Sequence, residues 1–142
     1  MPMQSATQPG TSLILSSESL NHKEDIMQPL VLSASTLEGD KVRNPQGEEL
    51  GSLKEIMLDM STGHIAYAVI SFGGFMGMGD KLFAIPWRML TVDTENKELV
   101  LDVDKSVLEN APGFDKDNWP NFADRTWATE IYAYYNHRPY WE

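Results

Sequence analysis

Two strand-like apolar runs, His64–Phe72 and Lys81–Pro86, constrain the fold of this chain more than any other feature. The first is rich in β-branched and aromatic residues, as expected of a buried central strand. The second ends at Pro86, which lacks the N–H that a sheet ladder needs and so belongs at a strand end or on an edge. Between them lies Gly73-Gly74-Phe75-Met76-Gly77-Met78-Gly79-Asp80, which is glycine-rich yet carries Phe75, Met76 and Met78. Water solvates most loop tips, so apolar side chains there are expected either to fold back on the core or to meet a partner.

More strands flank this pair. Val42 opens a short one, and Asn44-Pro45-Gln46-Gly47 reads as a tight turn, with Pro pre-setting φ. Leu50 to Asp59 alternates imperfectly, and Met57-Leu58 breaks the pattern, which predicts a bend or bulge. Gly51 within that strand predicts close backbone approach or strong coiling. Met60-Ser61-Thr62-Gly63 is the next turn, and Thr94-Glu95-Asn96-Lys97 joins Thr91-Val92-Asp93 to Glu98–Val103 as a hairpin. Five or six short strands divided by turns predict a small barrel or sandwich.

The ends read differently. Residues 1–29 are polar, with little apolar periodicity, and are expected to be a flexible arm. Ser33 to Leu37 reads as a turn or a short helical start, with Ser or Thr available as its cap. The barrel is placed at 30–105, followed by a helical extension over 106–142. Lys105 to Asn110 makes one or two helical turns. A second helix is expected from Asn118, capped by Asp117 or Asn118, with Pro120 in its first turn. Trp127, Ile131, Tyr134 and Tyr135 then form a helical stripe at i, i+4, i+7 and i+8. Tyr140-Trp141 is apolar enough to dock.

Composition excludes several functions. The formal charge is −10, and residues 98–142 hold nine acidic against four basic residues. Such a surface repels phosphate backbones, so nucleic-acid binding is not expected. There is no cysteine, so no disulfide or thiolate metal site forms. No apolar run suits membrane insertion, and Met1 to Leu20 makes a poor signal peptide, so a cytoplasmic protein is expected. His22, His64 and His137 are dispersed, without metal-ligand spacing. The glycine loop is not a P-loop, because Asp80 follows Gly79 where Lys and Ser or Thr should stand, and a strand follows. Nothing assembles a nucleophile, a base and an oxyanion donor. No cofactor, metal or catalytic residue is assigned.

Taken in order, several elements resemble the PRC-barrel family. They are Gly39–Val42 before the Asn44–Gly47 turn, Leu50-Gly51 with Glu55 and Asp59, Gly63–Tyr67 and Phe83–Trp87. Stand-alone bacterial members also share the glycine loop, Ala111–Asp115 and Pro139–Trp141. Glu55 stands where the family often has Asp. The family includes the cytoplasmic barrel of the photosynthetic reaction-centre H subunit and the C-terminal domain of a ribosome maturation factor. The resemblance implies a mainly β, strongly twisted PRC-type barrel of five to six strands with a helical, aromatic C-terminal extension, used as an adaptor.

The expected function is therefore a non-enzymatic protein-interaction module that binds a protein partner or itself, as a homo-oligomer. Its candidate partner-binding residues are Phe75, Met76, Met78, Trp127, Tyr134, Tyr135 and Trp141. Two alternatives stand beside it. One, from family analogy alone, is an accessory subunit of a membrane electron-transfer or reaction-centre-like complex. The other is a small-ligand sensor or enzyme with a pocket between barrel and tail, lined by Trp119, Trp127 and Tyr134.

Overall fold

Among the described residues, Lys41 to Leu101 contributes six short strands. In the computed structural model, which describes residues 30–72 and 81–142, they are β1 (Lys41–Arg43), β2 (Glu49–Asp59), β3 (His64–Phe72), β4 (Lys81–Pro86), β5 (Leu90–Asp93) and β6 (Glu98–Leu101). One helical turn, α1 (Ala34–Leu37), precedes them, and its cap is Ser33, whose hydroxyl accepts from the Thr36 N–H. Two helices follow, α2 (Lys105–Glu109) and α3 (Arg125–Tyr134). Ser33–Glu142 packs as one unit. The strand boundaries of the His64–Phe72 and Lys81–Pro86 runs coincide with those expected from sequence.

The strands form one sheet in the order β4-β3-β2-β1-β6-β5. Neighbours are antiparallel except β1 and β6, which run parallel. β4 and β5 occupy opposite edges, yet only the 3-10 turn Trp87–Met89 joins them. Five strand spacings would hold the edges of a flat sheet about 24 Å apart. The chain from Pro86 to Leu90 reaches at most about 14 Å. The sheet must therefore curl until its edges approach at that corner, which makes it barrel-like.

β2 carries much of the curl. Its pairing with β3 slips between Leu53 and Glu55 and again between Met57 and Leu58, the second being the break expected from sequence. Each slip adds twist. At Gly51 φ is +134°, and a Cβ there would lie 2.1 Å from the Ser71 carbonyl oxygen on β3. The close backbone approach expected at this glycine is thus present.

The core fills the curled sheet. Val42, Leu50, Leu53, Ile70, Ile85, Leu99 and Leu101 are buried within it. Five consecutive β3 residues, Ala66 to Ile70, are buried, which requires cover on both faces. The C-terminal segment supplies one cover: the Tyr67 ring lies 5.7, 5.4 and 5.5 Å from those of Phe122, Trp127 and Tyr132.

That segment departs from the sequence expectation. The second helix begins at Arg125, not Asn118, and Asp124 caps it by accepting from the N–H groups of Thr126 and Trp127. Residues 115–124 commit their polar groups to local turns instead. Asn118 N–H bonds Asp115 O at 3.0 Å, the Trp119 indole N–H bonds Lys116 O at 2.8 Å, and Asn121 Oδ1 accepts from Ala123 N–H at 3.0 Å. Such bonds outcompete helix in short polar stretches. The buried face of α3 is Ala128, Ile131 and Tyr132, continued by its buried C-cap Tyr135, so Tyr132 takes the inward place expected of Tyr134.

Three tyrosine hydroxyls give a matched test of buried polarity. Tyr132 Oη donates to Ala66 O at 2.9 Å. The Tyr67 and Tyr135 hydroxyls are buried without a hydrogen-bond partner among the described residues. Burial pushes all three hydroxyls above their ordinary pKa, Tyr132 to about 12. An unsatisfied buried hydroxyl costs about 1–3 kcal/mol, whereas a made hydrogen bond contributes about 1 kcal/mol net. Tyr67→Phe should therefore leave stability to denaturant unchanged or raise it by up to about 1 kcal/mol. Tyr132→Phe should lower it by about 1 kcal/mol. Equal losses in both variants would contradict this assignment.

Candidate partner-binding groove

The end of β2, the turn after it and the C-terminal segment meet along one groove. Met57, Leu58, Asp59, Met60 and Ser61 form one wall, and Phe122, Arg125, Tyr140 and Trp141 form the other. Ala66 and Ala128, both buried, also line it. The cavity measures about 390 Å³. Small residues at positions 66 and 128 leave the space that larger side chains would fill.

One wall is held to the other by a polar latch. Tyr140 Oη donates to Asp59 Oδ2 at 2.5 Å. Asp59 Oδ1 accepts from the Ser61 hydroxyl at 2.6 Å and the Ser61 N–H at 2.9 Å. These donors, the Ser61 hydroxyl first and Tyr140 next, hold the Asp59 carboxyl at about 2, below its ordinary 3.8. Burial and Asp59 together push the Tyr140 hydroxyl up to about 12. Tyr140 also meets His64 edge-on at 6.3 Å, and Trp141 meets Tyr132 at 6.1 Å. The apolar Tyr140-Trp141 pair is therefore docked, as its composition predicts.

The latch should show in acid. A carboxyl whose folded pKa is depressed stabilises the fold fully above its unfolded pKa and loses that contribution as pH falls through the folded value. The gap in melting temperature between the native chain and Asp59→Asn should be widest above about pH 4 and close as pH falls from 3.8 towards about 2. A gap that stays constant across this range would contradict the latch.

Apolar surface extends beyond the groove. Leu58 is 56% exposed and Met60 is 84% exposed, and the two stand at its rim. A methionine this exposed beside a second large aliphatic side chain suits recognition, because its unbranched thioether adapts to varied partners. Arg125 is the groove's cation. Its Cζ lies over the Trp141 ring, 4.3 Å from the centroid, a cation–π contact.

The residues singled out in the sequence are spread around this region. Trp141 is in the groove wall. Trp127 is half-buried behind Phe122 at 5.1 Å. Tyr135 is buried in the core, and Tyr134, 38% exposed, donates its hydroxyl to Val107 O at 2.7 Å, tying α3 to α2. Phe75, Met76 and Met78 lie outside the described residues. The groove is not lined by Trp119, Trp127 or Tyr134. Trp119 packs against Phe114 at 5.2 Å instead. Sequence reasoning missed Leu58, Met60 and Arg125, which carry no local motif.

Among the described residues no cluster of His, Asp or Glu could hold a metal ion, and no helix is long and apolar enough to cross a membrane.

No curated protein matches the chain. Among solved structures, a 16S ribosomal RNA processing protein, RimM, of Pseudomonas aeruginosa is similar at 20% identity with a TM-score of 0.37. The match covers 53% of this chain and 45% of that one, so this chain spans less than half of its length. The model of the PRC-barrel domain matches residues 30–108, which contain α1, the six strands and all but the last residue of α2. The curled sheet, the Gly51 approach and the aromatic extension accord with the fold class read from the sequence. The chain belongs to the PRC-barrel domain family.

Proposed function

We propose that this chain is a non-enzymatic interaction module that holds a segment of a partner protein in the groove between the β2–β3 turn and the C-terminal segment. The observation that carries this reading is the exposure of Leu58 and Met60 at the rim of a preformed groove walled in part by aromatic side chains. Exposed apolar side chains scattered singly are ordinary, but these two adjoin a concave surface already walled by Phe122 and Trp141. Covering them removes apolar surface from water at about 25 cal/mol per Å². The cavity volume also falls in the range of small-molecule sites. A small ligand would leave Met60 uncovered, however, whereas a peptide that continues past the groove would bury it.

The test is the double variant Leu58→Ser with Met60→Ser in the full chain. Both side chains are exposed, so the fold should keep its stability to within about 0.5 kcal/mol. Affinity purification should then lose the partners that the native chain recovers, and light scattering before and after should show whether a second copy is among them. Recovery of the same partners at the same yield, with the same solution mass, would overturn the proposal.

A further inference from the structure

The charge in the groove narrows what its partner must present. We infer that the groove recognises a peptide segment in which a large apolar side chain stands beside an Asp or Glu, whose carboxylate bonds Arg125. This inference rests on the proposed interaction function and deepens it.

Two charged side chains line the groove, and only one is available. The Asp59 carboxylate already accepts from Tyr140 and from both donors of Ser61. Arg125 makes no ion pair among the described residues. Its neighbour Asp124 turns its carboxylate to the N–H groups of Thr126 and Trp127. Arg125 sits over the Trp141 ring, and no acceptor among the described residues takes up its guanidinium donors, which leaves them to meet a carboxylate. An unpaired cation beside Phe122, Met57 and Leu58 therefore sets a two-part specificity: apolar contact along the walls and one carboxylate at the Arg125 end. The negative charge of the whole chain opposes an acidic peptide at long range. That field is screened beyond about 8 Å at physiological salt, so the contact charge decides. The carboxylate is assigned to a side chain within a continuing peptide because Leu58 and Met60 extend the apolar surface past the cavity.

Selection from a library of random linear peptides tests this, with the full chain and its Arg125→Glu variant as baits. The native chain should enrich peptides in which Leu, Ile, Phe or Trp adjoins Asp or Glu. The variant should lose that preference and gain Lys or Arg at the same place. An acid at the first position of α3 suits the helix dipole, so the variant is expected to fold, and its melting curve checks this. A selected peptide remade with Gln for Glu should bind the native chain about fivefold more weakly. Three results would overturn the inference: the same selection by both baits, a preference of the native chain for basic peptides, or competition by free hexanoate as strong as by the peptide. Apolar peptides without an acid, lost on Leu58→Ser with Met60→Ser, would refute the carboxylate while leaving the interaction function standing. No enrichment with either bait would refute both.

Discussion

Gly51→Ala is expected to lower the stability of the chain by about 3–5 kcal/mol, the sum of backbone strain and forced separation of two strands. At φ +134° an L-residue is strained whatever space surrounds it. Here there is no space: the new methyl would stand 2.1 Å from Ser71 O, 3.0 Å from Ser71 C and 3.2 Å from Ile70 Cγ2. The first two atoms are backbone of β3, paired to β2 from Ser52 onward, so neither can move without disturbing the ladder. Gly63→Ala is the control. Its φ is +80° but nothing lies within 4 Å, so it should cost only the strain, about 1–2 kcal/mol. Equilibrium unfolding in urea measures both. Equal losses at the two positions would mean that the β2–β3 approach is not tight.

Asn44→Ala should cost about 3 kcal/mol, because it removes three hydrogen bonds of a buried side chain, each worth about 1 kcal/mol net. Apart from the tyrosines, Asn44 is the one buried polar side chain among the described residues, and all its polar groups are used. Its amide donates to Glu48 Oε1 at 2.8 Å and to Val103 O at 3.2 Å, and its Oδ1 accepts from Glu48 N–H at 2.9 Å. It thus closes the β1–β2 turn and ties it to the segment leaving β6. Truncation leaves the Glu48 N–H and the Val103 carbonyl without these bonds. Asn44→Asp should be at least as harmful at neutral pH, since it replaces the amide donor with an acceptor facing Glu48 and a carbonyl. Gln46→Ala, in the same turn but exposed, should change little. A loss below about 1 kcal/mol in Asn44→Ala would show that the turn holds without this network.

Much of this fold was legible because its decisive signals are local. The run His64–Phe72 announces a buried strand, Pro86 ends β4 at the sheet edge, and Gly51 marks the one place where β2 has no room for a side chain. Asn44 was legible as a turn residue, but not as a buried one, because its second partner residue, Val103, is 59 residues away. The C-terminal segment shows the limit more clearly. Aromatic spacing around Trp127 gave the helix but misplaced its start and phase, since side-chain bonds at Asn121 and Asp124 and the contact of Tyr132 with Ala66 set both.

The groove was less legible than the fold. Its two walls come from residues 57–61 and 122–141, joined by a Tyr140–Asp59 bond spanning 81 residues. Met57-Leu58 reads in sequence as a strand irregularity and Met60 as a turn residue. Only the curl of the sheet turns them towards Trp141. Arg125 reads as an ordinary first-turn residue until Trp141 is placed beneath it.

The central claim is that the groove is where a partner binds, and a photo-crosslinking amino acid placed at Met60 tests it most directly. The same group at Thr91, exposed on β5 at the edge of the sheet, serves as the control. With the full chain in its native host, position 60 should give a discrete adduct that position 91 does not, and Leu58→Ser should weaken it. Adducts of the same mass and yield from both positions, or adducts from position 91 alone, would contradict the account.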